Sequence, residues 1–248
     1  MARMDIDFYA KHLGRRVEIS LVLPSANLHE ALNNHDKEYY QHRTEHFPLI
    51  IGLCGFGDNR KAWINNTTIE SLCEKNHFAA CFVNGENKWY LNLGPIDNHY
   101  DFLEEDLLDY LYGNFKNLSP EAPLFMIGVS MGGYGALYHY LTNVDKYAGC
   151  VALSPATKPD FIDESKFGTL QSHFLKQKEK DLHVFLSIGE KDFIIGPSRE
   201  FNTFLKENHV GVEYRFVPEA DHSWTFWEKE IIVAFDTMKK WVSLGENA

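Results

Sequence analysis

The sequence is short of positive charge, of cysteine motifs and of apolar runs long enough for a bilayer. Its 24 Lys and Arg stand against 35 Asp and Glu, a formal net charge of −11. Such a balance argues against nucleic acid or an anionic membrane as a partner. The four cysteines, Cys54, Cys73, Cys81 and Cys150, show no C-x-x-C or other metal spacing. They read as buried free thiols of a reducing compartment. The opening stretch MARMDIDFYAKHLGRR lacks the apolar segment of a secretory signal, and no run approaches the ~20 apolar residues of a membrane span. A cytoplasmic protein is expected. Repeats, low-complexity tracts and linkers are also missing, so residues 1–248 are read as one domain.

What is present alternates between buried-strand and helical patterns. Arg16–Leu23 (RVEISLVL) ends at Pro24 and reads as an early strand near a sheet edge. Pro48–Leu53 (PLIIGL) is continuously apolar, the mark of a central strand covered on both faces. Ile64–Lys75 predicts a helix, Phe78–Val83 a strand, and Asp101–Phe115 an amphipathic helix. Further strands are expected at Tyr147–Ser154, Leu182–Ile188 and Val212–Val217, with helices at Pro197–Asn208 and Thr225–Val242. Residues 155–181 are polar and read as a small insertion over one end of the sheet. Between Ser25 and His46, the histidines His29, His35, His42 and His46 have no carboxylate or cysteine at ligand spacing, so a solvated loop is expected there rather than a metal site. The alternation implies a mostly parallel sheet with helices on both faces.

The most informative stretch is Leu124–Ala136, LFMIGVSMGGYGA. A short apolar strand runs into G-V-S-M-G and then into a helix-compatible segment. The pattern G-x-S-x-G between strand and helix is that of a nucleophile elbow, with Ser130 pushed outward on a strained turn. Gly128 and Gly132 remove side chains that would collide across so tight a bend.

A serine hydroxyl is a weak nucleophile and needs a base. Of the downstream histidines His139, His173, His183, His209 and His222, the last is best placed, in a loop between the final strand and the final helix. The acid that would orient it should leave the end of the preceding strand, where G-E-K-D-F offers Asp192 first and Glu190 second; Asp221, beside the histidine, is third. Charge developing on a substrate carbonyl needs preorganised donors. The backbone N–H of Met131 follows the serine, and that of Phe56 lies in C-G-F-G after the Pro48–Leu53 strand. Trp89, Tyr90 and Trp224 are candidates to line a substrate pocket, the first two in a loop where they would be exposed.

The segments G-V-S-M-G-G-Y-G-A, N-R-K-A-W, G-E-K-D-F and D-H-S-W-T-F-W-E-K resemble, in order, the esterase D group of α/β-hydrolases. The final segment is most similar to the tributyrin-type carboxylesterases. The resemblance implies an α/β-hydrolase fold with Ser130 as nucleophile, His222 as base and Asp192 as acid, and with Phe56 and Met131 as oxyanion donors. It implies a serine carboxylesterase acting on short-chain esters through an acyl-enzyme, with no metal or other cofactor, in a group that often forms homo-oligomers. An S-formylglutathione hydrolase-like thioesterase, an acyltransferase and a non-catalytic binding protein of the same fold are the alternatives. One departure stands out: the group usually opens its oxyanion loop H-G-x-x-G, and here Cys54 replaces the histidine and Asp58 the last glycine. Asp58 is expected to bring negative charge toward the developing oxyanion.

Overall fold

The continuous apolar runs lie side by side in the middle of one sheet. The computed structural model describes residues 1–26, 32 and 44–245. The strands are β1 (Ala2–Ala10), β2 (Arg15–Leu23), β3 (Leu49–Leu53), β4 (Ala79–Val83), β5 (Leu124–Val129), β6 (Gly149–Leu153), β7 (Val184–Gly189) and β8 (Glu213–Val217). Their order is β1-β2-β4-β3-β5-β6-β7-β8. The pairs β1–β2 and β2–β4 are antiparallel and the rest parallel. Every residue of β3 to β7 is buried, as parallel strands covered by helices on both faces must be.

One of the sequence expectations changes here. β2 lies near the sheet edge as expected, one strand in, because β1 pairs along its whole length. The signal for β1 is a period-two alternation of Met4, Ile6, Phe8 and Ala10 with Arg3, Asp5, Asp7 and Tyr9. The helix expected over 64–75 is two helices, α1 (Ala62–Asn66) and α2 (Ile69–Asn76). Thr67 Oγ1 turns back to the Trp63 carbonyl at 2.6 Å, and Thr68 bonds Glu228 through both its N–H and its hydroxyl. Side chains that compete for hydrogen bonds in this way interrupt a helix.

Further along the chain, α3 (His99–Asp101) passes through a π turn (Phe102–Asp106) into α4 (Leu107–Asn114). Then come α5 (Met131–Thr142), α6 (Glu164–Phe167), α7 (Leu170–Gln177), α8 (Ile195–Glu207) and α9 (Trp224–Gly245). The stretch 155–181 thus contains two helices, and Thr169 and Ser172 form a reciprocal capping box at the start of α7. All four cysteines are free and buried. His46 is exposed; His29, His35 and His42, and with them most of the expected loop, lie outside the described residues.

The strands divide their side chains between two core layers. Leu49, Ile51, Leu53 and Met126 face the layer that holds Leu107, Leu137, Phe174 and Phe201. Ile50, Phe125, Ile127 and Val129 face the other, with Trp63, Cys73, Ile231 and Phe235. At the end of β5 the elbow closes on itself. A Cβ placed on Gly128 would lie 2.0 Å from the Gly132 carbonyl oxygen, a backbone atom that cannot step aside.

One polar cluster is buried in the first layer. His139, on α5, is fully buried; its Nδ1 meets Glu104 Oε1 at 2.6 Å and its Nε2 meets the Tyr90 carbonyl at 2.9 Å. Carboxylate and carbonyl oxygens only accept, so both ring nitrogens donate. Glu104 also accepts from Tyr147 Oη and Lys146 Nζ. Burial works to raise the Glu104 carboxyl, but His139, Lys146 and Tyr147 outweigh it and hold the pKa at about 2.

A depressed carboxylate contributes stability above its unfolded-state value and loses it as pH falls through the folded one. The distance from 4.5 to about 2 is worth about 3 kcal/mol. Glu104→Gln is therefore expected to be less stable than wild type by about that amount at pH 7. The gap should close between pH 4.5 and pH 2 in urea titrations. A gap that does not change with pH would refute the ion-pair account.

Candidate active site

The elbow is held from both sides by the end of β6 and the turn beyond it. Ser130 has φ 54° and ψ −116°, a conformation that costs a non-glycine residue on the order of 1–3 kcal/mol. Its N–H donates to the Leu153 carbonyl at 3.0 Å, and its own carbonyl accepts from Tyr134 and Ala156, each at 3.1 Å. Met131 begins α5, so its N–H has no partner within the helix.

Asp192 follows β7 and His222 follows β8, so both leave the same C-terminal ends of the parallel strands as Ser130, where such sheets hold their ligands. His222 Nδ1 lies 2.8 Å from Asp192 Oδ2 and 3.0 Å from Oδ1. The Asp192 side chain is fully buried, and Oδ1 also accepts the Ile194 N–H at 3.0 Å. The two loops are stitched by backbone: Glu190 N–H to the Val217 carbonyl at 2.9 Å and Lys191 N–H to the Ala220 carbonyl at 2.8 Å. Asp192, rather than Glu190 or Asp221, is the carboxylate brought to His222. Glu190 accepts the Glu219 N–H, and Asp221 bonds Ser223. With Nδ1 given to Asp192, Nε2 is the ring nitrogen left for another partner.

The other histidines are occupied elsewhere. His139 joins Glu104 and Tyr90, His173 Nε2 bonds the Phe167 carbonyl at 2.7 Å, and His183 stacks on Trp241. His209 closes a helix end with φ 55°.

Three tryptophans connect His222 to the end of β3 and the loop after it. Trp227 packs edge-on against His222 at 4.9 Å and donates its Nε1–H to Ser154 Oγ at 3.0 Å. Trp224 packs edge-on between Trp227 and Trp63, and Trp63 Nε1–H bonds the Leu53 carbonyl at the end of β3. Trp224 Nε1 also reaches Asp58 Oδ2 at 3.2 Å. Asp58 is thus turned toward the indole, and partial burial raises its carboxyl pKa despite that bond. The loop it belongs to sits on the serine, since a Cβ built on Gly55 would lie 3.5 Å from Ser130 Cβ. The Phe56 N–H has no hydrogen bond among the described residues, and its ring is exposed.

Of the three aromatic candidates, only Trp89 lines a cleft. That cleft measures about 660 Å³ and is walled by Phe56, Trp89, Leu91, Leu93, Phe161 and Phe167, with Asn87, Asp163 and Lys166 among its polar groups. Tyr90 is fully buried, and its hydroxyl donates to the Cys54 carbonyl at 2.9 Å, so it cannot touch a ligand in the cleft. The expectation of two exposed rings at 89 and 90 is corrected: both side chains turn inward, Trp89 against Tyr134 and Phe161. Trp224 is committed to the tryptophan cluster and Asp58, and does not line that cleft.

Sequence reasoning missed Asn84 and Asn87, whose side-chain oxygens accept the N–H groups of Arg60 at 2.9 Å and Gly57 at 2.7 Å. An N-G-E-N segment signals a turn, but nothing local shows that it clasps a loop some 30 residues earlier. Among the described residues no group of three His, Cys, Asp or Glu side chains is arranged to hold a metal ion.

Comparison with known proteins gives a consistent picture. An acetyl esterase of Caldicellulosiruptor saccharolyticus is 27% identical over 271 aligned positions, covering 97% of this chain and 99% of that protein. An S-formylglutathione hydrolase of Arabidopsis thaliana is 42% identical over 146 residues, about half of each chain. Among solved structures, the fluorophosphonate-binding serine hydrolase F of Staphylococcus aureus superposes with a TM-score of 0.80 at 22% identity, covering 96% of this chain and 98% of that one. The family model described as "Putative esterase" matches residues 11–238. The chain belongs to that esterase family and is an ester hydrolase built on the α/β-hydrolase fold.

Proposed function

We propose that the chain is a single-domain, cytoplasmic serine carboxylesterase that cleaves short-chain carboxylic esters through an acyl-enzyme at Ser130. The observation that carries this reading is the buried Asp192 carboxylate bonded to His222 Nδ1 at 2.8 Å, on the sheet edge where Ser130 stands on its strained turn. As Ser130 Oγ attacks the ester carbonyl, His222 Nε2 takes its proton, and Asp192 stabilises the imidazolium. The tetrahedral oxyanion receives the N–H groups of Met131 and Phe56. His222 then returns the proton to the departing alcohol. Water repeats the sequence: its proton goes to His222, its oxygen to the acyl carbon, and the acid is released as Ser130 is reprotonated.

Short acyl groups are supported by the acetyl esterase that matches nearly the whole chain. Within the family, the ending D-H-S-W-T-F-W-E-K supports a place beside the tributyrin-type enzymes of the esterase D group. The apolar cleft next to Phe56 would take the bulkier alcohol part. The second reading is a thioesterase of the S-formylglutathione hydrolase type, favoured by the Arabidopsis relative. It uses the same residues on a weaker bond.

A fluorophosphonate probe is expected to label wild type and to leave Ser130→Ala unlabelled and inactive; labelling that survives the substitution would sink the assignment. Asp192→Asn keeps the shape but loses the charge behind His222, and kcat on p-nitrophenyl acetate should drop about 10³- to 10⁴-fold. Across p-nitrophenyl esters, kcat/KM should peak between acetate and butyrate and be at least about tenfold lower at octanoate. A flat profile would remove the short-chain preference, and faster turnover of S-formylglutathione than of any of these esters would favour the second reading.

A further inference from the structure

Resting on the assignment of the Phe56 N–H as an oxyanion donor, we propose that Tyr90 and Asn87 are positioning residues that aim this donor from behind. The stretch 54–60 has three hydrogen-bonding anchors in the segment after β4. Tyr90 Oη donates to the Cys54 carbonyl, Asn87 Oδ1 accepts the Gly57 N–H, and Asn84 Oδ1 accepts the Arg60 N–H. The first grips the Cys54–Gly55 peptide, one before the peptide that carries the Phe56 N–H, and the second grips the Phe56–Gly57 peptide just after it. The Cys54 thiol adds weaker hydrogen bonds, to Tyr90 Oη at 3.4 Å and to the Val83 carbonyl at 3.8 Å.

Tyr90 fills a slot that two glycines leave open. A Cβ on Gly85 would lie 2.4 Å from its hydroxyl, and one on Gly135 would lie 2.5 Å from its ring. Gly135 belongs to α5, one turn after the serine, so the ring wedges between the elbow helix and the oxyanion loop. Its backbone is clamped too. Glu86, Asn87, Trp89 and Tyr90 all have positive φ, between 47° and 61°. Such a run persists only where surrounding contacts over-determine it. His139 supplies one, donating Nε2–H to the Tyr90 carbonyl, and Glu104 in the π turn holds His139. π turns inside helices are found frequently at functional sites. The result is a chain of contacts from Glu104 through His139 and Tyr90 to the peptide beside the donor.

A positioning group of this kind acts on the tetrahedral state more than on substrate binding. Tyr90→Phe keeps the ring in its slot and removes one hydroxyl. On p-nitrophenyl acetate, kcat per titrated active site is expected to fall about 10- to 100-fold with KM changed less than about twofold. Binding of an alkyl trifluoromethyl ketone, which forms a tetrahedral adduct with a serine, should weaken by the same factor as kcat/KM. Asn87→Ala should shift both quantities in the same direction by about 3- to 10-fold, and serves if Tyr90→Phe does not fold. A merely structural role would lower Tm while leaving kcat per titrated site and the ketone affinity at wild-type values, and that result overturns the proposal. Ser130→Ala, run in parallel, separates the two failures: activity retained there refutes the esterase assignment, whereas activity lost there but kept in both loop variants refutes only the positioning role.

Discussion

The site depends on one backbone constraint, the strained conformation of Ser130. A residue with φ 54° and ψ −116° relaxes unless its peptide groups are claimed elsewhere. Here the Leu153 carbonyl takes the N–H, and the Ala156 N–H takes the carbonyl. Both partners belong to the end of β6 and the turn beyond it, so the elbow can form only once β5 and β6 are paired. The near-contact of Gly128 with the Gly132 carbonyl tightens the same knot from the other side. Secondary structure and sheet pairing therefore build the strained turn at Ser130 together.

Around that knot, the functional loops support each other more than the sheet supports them. The Asp192 and His222 loops share two backbone hydrogen bonds. The tryptophan cluster then carries contact from His222 through Trp227 and Trp224 to Asp58 and the loop against the serine. Trp63, Trp224 and Trp227 lie in the N-R-K-A-W and D-H-S-W-T-F-W-E-K segments, so those motifs read physically as the frame of the site. The negative charge that Asp58 brings is engaged by an indole donor instead of standing free beside the serine.

Much of this was legible in the sequence where chemistry is local. The buried parallel strands announce themselves as unbroken apolar runs, and G-V-S-M-G between a strand and a helix marks the elbow. The chain order serine, acid, histidine leads to Asp192 and His222, and the structure brings these two together. Long-range contacts were not legible. Trp89 and Tyr90 sit in a polar stretch that reads as exposed, and the glycines at 85 and 135, the second far along the chain, make room for Tyr90 inside. β1 was hidden because its charged face dilutes a regular alternation, and the Thr67–Thr68 break because its cause, Glu228, lies 160 residues away.

The buried thiols give the protein a set of chemical witnesses. Cys54, Cys73, Cys81 and Cys150 have no solvent exposure, and burial raises the pKa of each thiol. Alkylating reagents act on exposed thiolates, so the closed protein offers them no target. Modification of a given cysteine must then follow an opening of its surroundings, and its rate measures how often that opening occurs. Cys54 would report the breathing of the loop beside the serine, Cys150 the parting of the central strands, and Cys73 the release of α2. The same sequence that carries no disulfide thus carries a map of its own local stability, readable by mass spectrometry residue by residue.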